Sequence, residues 1–164
     1  MSLPLPGEPR REVVAGGAVS LLVPDAWETV HHPHDGVELV VVEPEQEGLF
    51  RANLVLTVTE VAMSLRDWQV GTESYLAAHL ADYVPLDAER LVVGGQPGLR
   101  RLATYATDDN RSVTVEQRAA LVDGTGVTLT ATTSTLAWAA QGQLLGHVFS
   151  SLVVDPTATG RRSA

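Results

Sequence analysis

Three imidazoles and two carboxylates fall within eight residues: His31, His32, His34, Asp35 and Glu38. These are donor types that suit zinc or nickel. The spacing argues against a metal centre. Adjacent His31 and His32 point to opposite faces of an extended strand, and Pro33 breaks the segment into a turn rather than a helix or knuckle. The expected state is a solvated turn with no metal and no cofactor.

The other histidines call for no chemistry. His79 recurs on the apolar stripe of a predicted helix, one turn from Tyr75 and Tyr83, where a hydrogen-bonded histidine at the core edge is expected rather than a general base. His147 falls near the C-terminal end of a second helix, where a partly charged imidazole suits the helix dipole. There is no G-x-S-x-G elbow for a serine nucleophile. The glycine clusters at 16–17, 94–98 and 124–126 sit where hairpin turns are expected. None opens a helix, where phosphate would be cradled. The paired carboxylates (Glu43, Glu45, Glu47; Asp108, Asp109) fall in loops. No catalytic residue is assigned.

Composition narrows the function classes further. The chain has 164 residues, 45% of them hydrophobic, which is enough for one domain with a substantial core. It has no cysteine, which excludes disulfides, thiolate metal sites and a lipidated cysteine. All eleven basic residues are arginine, so lysine Schiff-base and P-loop chemistry are excluded too. A net charge of −9 repels phosphate backbones, so nucleic acid is not an expected partner. Lysine-free usage rich in Ala, Val, Gly and Arg points to a high-GC bacterial genome. No apolar run approaches the roughly 18 residues of a membrane span. The opening MSLPLPGEPRREVV lacks a continuous apolar core, so neither a secretory leader nor membrane insertion is expected. The expected location is the cytoplasm.

The elements that would position any site are mostly strands. Residues 1–12 and 156–164 read as flexible tails around one domain, 13–155. Strands are expected at Ala18–Val23, Trp27–His31, Val37–Glu43 and within Phe50–Val61. A helix capped by Ser64 carries Leu65, Trp68, Thr72, Leu76, His79, Leu80 and Tyr83, and ends at Pro85. A strand runs into the turn Gly94–Gly98, and another follows it. A long hairpin joins Ser112–Val122 to Gly126–Ser134. A last helix, capped by Ser134 or Thr135, has the stripe Leu136, Ala140, Leu144, Leu145, Val148, Phe149 and Leu152. Short turns between neighbouring strands imply antiparallel pairing. The fold class is α+β, an antiparallel sheet of about six to seven strands with two main helices.

Two helices are few for covering both faces of such a sheet. Alternation along the hairpin suggests that Val113, Val115, Ala119, Leu121, Val127, Leu129 and Ala131 share the covered face. Thr114, Glu116, Arg118, Thr128, Thr130 and Thr132, with Thr57 and Thr59 of an earlier strand, then form an open polar face. That face is the candidate partner-binding surface.

Three short features carry a family resemblance: the strand–P-x-x-W of VSLLVPDAW, the strand entry F-R-A-N-L (Phe50–Leu54), and the G-G-Q-P-G turn before a strand. Over residues 13–155 the order of elements resembles the DcrB-like/LpqN-like branch of the PsbP-like α/β/α sandwich superfamily. The resemblance implies a non-enzymatic role. Members include a photosystem II subunit, a Ran-binding transport factor, periplasmic lipoproteins and chaperones of secreted effectors, with no catalytic set to carry over. Unlike the lipoproteins, this chain has no cysteine to lipidate. The leading expectation is a protein-binding or chaperone-like module, linked to secretion, whose partner is another protein or a second copy of the chain. The alternative is a small-ligand or lipid binder with a helix–sheet groove lined by Trp68, Tyr75 and Trp138. A third reading is an enzyme built on His79 or the His31–His34 cluster.

Overall fold

The computed structural model describes residues 8–156. The chain opens with β1 (Arg10–Val14), a 3-10 turn at Ala15–Gly17, β2 (Val19–Val23), β3 (Glu28–His34), β4 (Val37–Val42) and β5 (Asn53–Glu60). Helix α1 (Leu65–His79) follows, then β6 (Ala81–Val93), β7 (Gln96–Ala106), β8 (Ser112–Val122), β9 (Thr125–Ser134), helix α2 (Trp138–Ser151) and β10 (Val153–Val154). The expected antiparallel sheet is present with seven strands, in the order β3-β4-β5-β9-β8-β7-β6.

A second, three-stranded sheet, β1-β2-β10, was not expected. It takes the strand at Val19–Val23 away from the main sheet. It also recruits Arg10–Val14, whose first three residues read as part of a tail. The polar letters RRE concealed a strand because their side chains work at its margin. The Arg10 guanidinium donates to the carbonyls of Asp25 (2.8 Å) and Trp27 (3.2 Å) and to the Thr29 hydroxyl of β3, tying the small sheet to the large one. Residues 1–7 and 157–164 of the two expected tails lie outside the described residues.

The core lies between the small sheet and one face of the large one, here termed the inner face. Leu39, Val41, Leu54, Leu56, Val127, Leu129 and Ala131 pack there against Val19, Leu21 and Val23, and α2 contributes Leu145, Val148, Phe149 and Leu152. Ser151 locks α2 in place: its hydroxyl accepts from the Leu22 N–H of β2 (2.8 Å). Leu136, expected in the helical stripe, instead precedes α2 and is 98% exposed. Ser134 does act at this start, its hydroxyl accepting from the Ala137 N–H (3.1 Å).

Helix α1 lies on the opposite, outer face. Its Ser64 cap accepts from the Asp67 N–H (3.1 Å), as the sequence predicts. The helix stops at His79, not at Pro85, because Leu80 turns to extended backbone and Asp82 takes a left-handed conformation (φ 53°). Tyr83 and Pro85 therefore belong to β6. Proline is tolerated there because β6 is an edge strand, and its pairing shifts between Pro85 and Asp87.

Glycine is required where strands crowd. A Cβ on Gly98 would lie 2.6 Å from Val93 Cγ2 and collide with the Ala119 carbonyl. Gly146, inside α2, would meet nothing within 4 Å. Gly98→Ala is therefore expected to destabilise by about 1–3 kcal/mol through overpacking. Gly146→Ala should stabilise by about 1 kcal/mol through helix propensity. Urea midpoints that move in opposite directions would bear this out.

Candidate functional site

The face that each hairpin residue occupies follows from the turn. Asp123 (φ 48°) and Gly124 (φ 77°) form a two-residue connection, so Val122 pairs with Thr125. Opposed residues share a face, and every opposed pair here joins an odd number to an even one. Thr128, Thr130 and Thr132 thus lie opposite Ala119, Gln117 and Val115, on the outer face. Thr57, opposite Thr128, and Thr59, opposite Gly126, join them.

Thr114, Glu116 and Arg118 do not. They oppose Thr133, Ala131 and Leu129 and turn to the inner face. The expected eight-residue polar surface is therefore split. Glu116, its side chain only 6% exposed, bridges Arg100 (3.0 Å) and Arg118 (2.8 Å). Arg118 in turn stacks on Phe149 of α2, 4.6 Å from the ring centre. These residues hold the structure together rather than offering a surface. An odd-with-odd arrangement would need a three-residue connection; the D-G pair was the available signal for a two-residue one.

The outer face is unevenly buried. On the inner face of β4 and β5, Leu39, Val41, Leu54 and Leu56 are at most 1% exposed. Their outer-face neighbours Val40, Val42, Val55 and Thr57 are only half-buried, and Val30 of β3 is 50% exposed. Thr59 is exposed, Thr128 and Thr130 are half-buried, and Thr132 is buried. The β3–β5 half of this face is an apolar and hydroxyl-bearing surface, with more valine than the threonine pattern suggested.

The β6–β8 half is spanned by α1, which is mounted on a buried cation. Arg101 of β7, its side chain 4% exposed, meets Glu73 of α1 at 2.6 Å. It also donates to the Gln69 side chain, the Gln69 carbonyl and the Gln117 side chain, each at 3.0 Å. Glu73 also accepts from the Tyr83 hydroxyl (3.0 Å). Burial first, then the neighbouring Glu73 carboxylate, pushes the Tyr83 phenol up to about 12. At the far end of the helix the Trp68 ring closes over Gly126, where an added Cβ would lie 2.7 Å from Cη2. Arg101 was missed in the sequence. Its signal was a charge in the outward alternation Leu99, Arg101, Ala103, Tyr105, facing a helix stripe that carries Gln69 and Glu73 four residues apart.

Beside this mount a cleft of about 610 Å³ opens between α1 and β6. Leu65, Val70, Leu86 and Leu99 form its walls, with Arg66 and Arg90 beside them. A second cleft, about 910 Å³, lies where the β4–β5 loop meets the start of α2, with Leu49 and Leu136 exposed. Neither is the aromatic groove expected from Trp68, Tyr75 and Trp138. Helices α1 and α2 lie on opposite faces, Trp138 packs against the inner core, and Tyr75 is 61% exposed.

The histidines do not converge. His31 meets Glu12 (3.1 Å) and His32 meets Glu38 (3.2 Å), on separate carboxylates. Among the described residues, no three His, Cys, Asp or Glu side chains gather in a metal-binding group. His79 is exposed rather than at the core edge: its ring stacks on Tyr75 at 4.0 Å and its Nδ1 lies 2.8 Å from the Tyr75 carbonyl. His147 is exposed on α2. Glu43 is structural, accepting from the Ala52 N–H (3.0 Å) and from Gln141 of α2 (3.2 Å). No helix of the described residues is long and apolar enough to cross a membrane.

Glu73→Ala leaves the Arg101 guanidinium buried without a carboxylate. The loss should be about 3 kcal/mol, the low end for breaking a buried pair, because the Glu73 side chain is itself 36% exposed. Urea unfolding measures it, and hydrogen exchange should show α1 amides losing protection first. Tyr83 ionises less readily folded than unfolded, so its contribution is fully present below its ordinary value of about 10. Stability should fall as pH rises from there through about 12. Tyr83→Phe should remove that part of the alkaline slope in urea titrations.

No family model matches the chain, and no curated protein matches it. Solved structures do. The cyanobacterial PsbP (CyanoP) of Synechocystis sp. PCC 6803 superposes with a TM-score of 0.65 at 18% identity, covering 94% of this chain and 98% of that one. LpqN of Mycobacterium tuberculosis, involved in cell envelope biogenesis, gives 0.67 at 14%, covering 92% and 86%. The Ran-binding protein Mog1p of Saccharomyces cerevisiae gives 0.63 at 16%, covering 92% and 98%. With two sheets, antiparallel pairing and one helix on each face of the larger sheet, this chain has the PsbP-like fold.

Proposed function

We propose that this protein is a non-enzymatic, protein-binding module that docks its partner on the β3–β5 half of the outer sheet face. One contrast carries the reading. On the inner face of β4 and β5, Leu39, Val41, Leu54 and Leu56 are at most 1% exposed, yet on the outer face Val40, Val42, Val55 and Thr57 are half-buried, and Val30 of the edge strand β3 is 50% exposed. Valines left to water on β4 and β5, whose other face is packed against the core, are a surface awaiting a cover. Thr59, Thr128, Thr130 and Thr132 extend it with hydroxyls that can donate and accept. Separated histidines favour this reading over an enzyme, and the Ran-binding activity of the structural neighbour Mog1p is of the same kind. Action in the cytoplasm, and a chaperone-like hold on a client linked to secretion, are the forms of this function that the sequence suggests.

The double variant Val40→Asp/Val55→Asp places two carboxylates on that surface. Cross-linking capture from native bacterial lysate should enrich a partner with the parent chain and lose it with the variant, at unchanged far-UV circular dichroism. If nothing is enriched, or if both proteins capture equally, the reading fails. Sedimentation at rising concentration tests for a second copy as the partner: a dimer lost in the variant would identify it.

A further inference from the structure

The α1–β6 cleft has a charge balance opposite to that of the chain. Of the two acidic residues that line it, Glu73 is held by Arg101 and Tyr83, and Asp87 turns its carboxylate to Arg100 on the inner face, at 3.2 Å. Its two exposed arginines, Arg66 and Arg90, have no described carboxylate within ion-pairing distance, and both stand beside apolar walls. Val70 and Leu86 are 59% and 55% exposed there. On a chain of net charge −9, an apolar cleft with two uncommitted guanidiniums selects an occupant that is both apolar and acidic.

The edge beside the cleft says what kind. β6 ends the seven-stranded sheet, so one side of its backbone has no strand beside it. From Asp87 to Val93 its pairing with β7 runs without a shift, giving a straight edge beyond the Pro85 irregularity. Register places Ala88, Arg90 and Val92 on the outer face, where Val92 is 70% exposed. Asp87 and Glu89 fall on the inner face, both within reach of Arg100. The outer side of this edge is therefore free of acids.

We infer that an acidic peptide segment of a partner adds as a strand to the β6 edge at residues 87–93. Alternate side chains would enter the α1 cleft: carboxylates beside Arg66 and Arg90, apolar groups against Leu65, Val70 and Leu86. Main-chain hydrogen bonds supply affinity in this mode and the alternate pockets supply selectivity. The site lies at the other end of the face from the β3–β5 surface and stands independently of it.

The test uses end-capped nonapeptides with threonine at the odd positions and glutamate and valine alternating at the even ones, so that both face the cleft. Counterparts carry lysine for glutamate, and binding is read by fluorescence anisotropy and hydrogen exchange. The glutamate peptide should bind saturably, protect amides within 87–93, and bind at least about tenfold more tightly than the lysine peptide. Arg66→Glu/Arg90→Glu should weaken it by at least about tenfold. Both arginines are exposed, so the fold should tolerate the change. N-methylation of alternate amides should abolish binding, and Val40→Asp/Val55→Asp should leave it unchanged.

No saturable binding up to about 1 mM would overturn the inference. So would equal binding of the two peptides, or undiminished binding of the N-methylated one. Displacement of the side chains alone by decanoate, without edge protection, would make the cleft an amphiphile site and overturn it too. Protection of 87–93 that grows with protein concentration in the absence of peptide would assign the edge to a second copy, with the same result.

Discussion

A turn of two residues decides which chemistry this protein shows to its surroundings. Asp123 and Gly124 take left-handed backbone, pair Val122 with Thr125, and thereby send Val127, Leu129 and Ala131 to the same side as Glu116 and Arg118. A one-residue change in the connection would invert one strand of the hairpin relative to the other and place threonines in the core. β9 is also the strand to which β5 pairs, so the inversion would pass into the other half of the sheet. The valine-lined outer surface and the dry inner one both depend on that parity.

The same parity puts charge inside. Glu116 would be an unpaired buried carboxylate if neither Arg100 nor Arg118 reached it. On the other face Arg101 stands beneath α1 and is met by Glu73, Gln69 and Gln117. The two helices are thus held by different means. Helix α2 buries Leu145, Val148 and Phe149, whereas α1 buries only Gln69 and depends on directed polar bonds. Apolar packing tolerates small shifts, while a guanidinium with its donors engaged does not. The helix with the thinner hydrophobic seam is the more strictly positioned one.

Local signals in the sequence translated well into local structure. Ser64 caps α1, Gly94 and Gly95 make a two-residue turn, and the strands joined by short turns, β3–β4, β6–β7, β7–β8 and β8–β9, pair antiparallel. Decisions made at a distance were not legible. Nothing in VSLLV states that it pairs with Arg10–Val14 and Val153–Val154 instead of the neighbouring strand. Arg101 reads as a surface charge until Gln69 and Glu73 are placed above it. The threonines pointed to a real asymmetry of the sheet, but three of the eight polar residues fell on the other side. Hydrophobic alternation does not fix the faces, because turn length governs them. The aromatic groove failed for a related reason: composition cannot say that two helices lie on opposite faces.

The order of strands also sets a schedule. β5 finds its second neighbour only in β9, across α1 and the three strands β6, β7 and β8. The small sheet closes only when β10 reaches β2. A chain emerging from the ribosome can form β3-β4-β5 early, but the inner edge of β5 then has no strand to pair with until the last hairpin has been made. Pairings so far apart in sequence are slow to find, and the unfinished edge is exposed meanwhile. For this architecture the hazardous interval is the time between synthesis of β5 and arrival of β9. A sheet finished by its penultimate strand matures late and all at once.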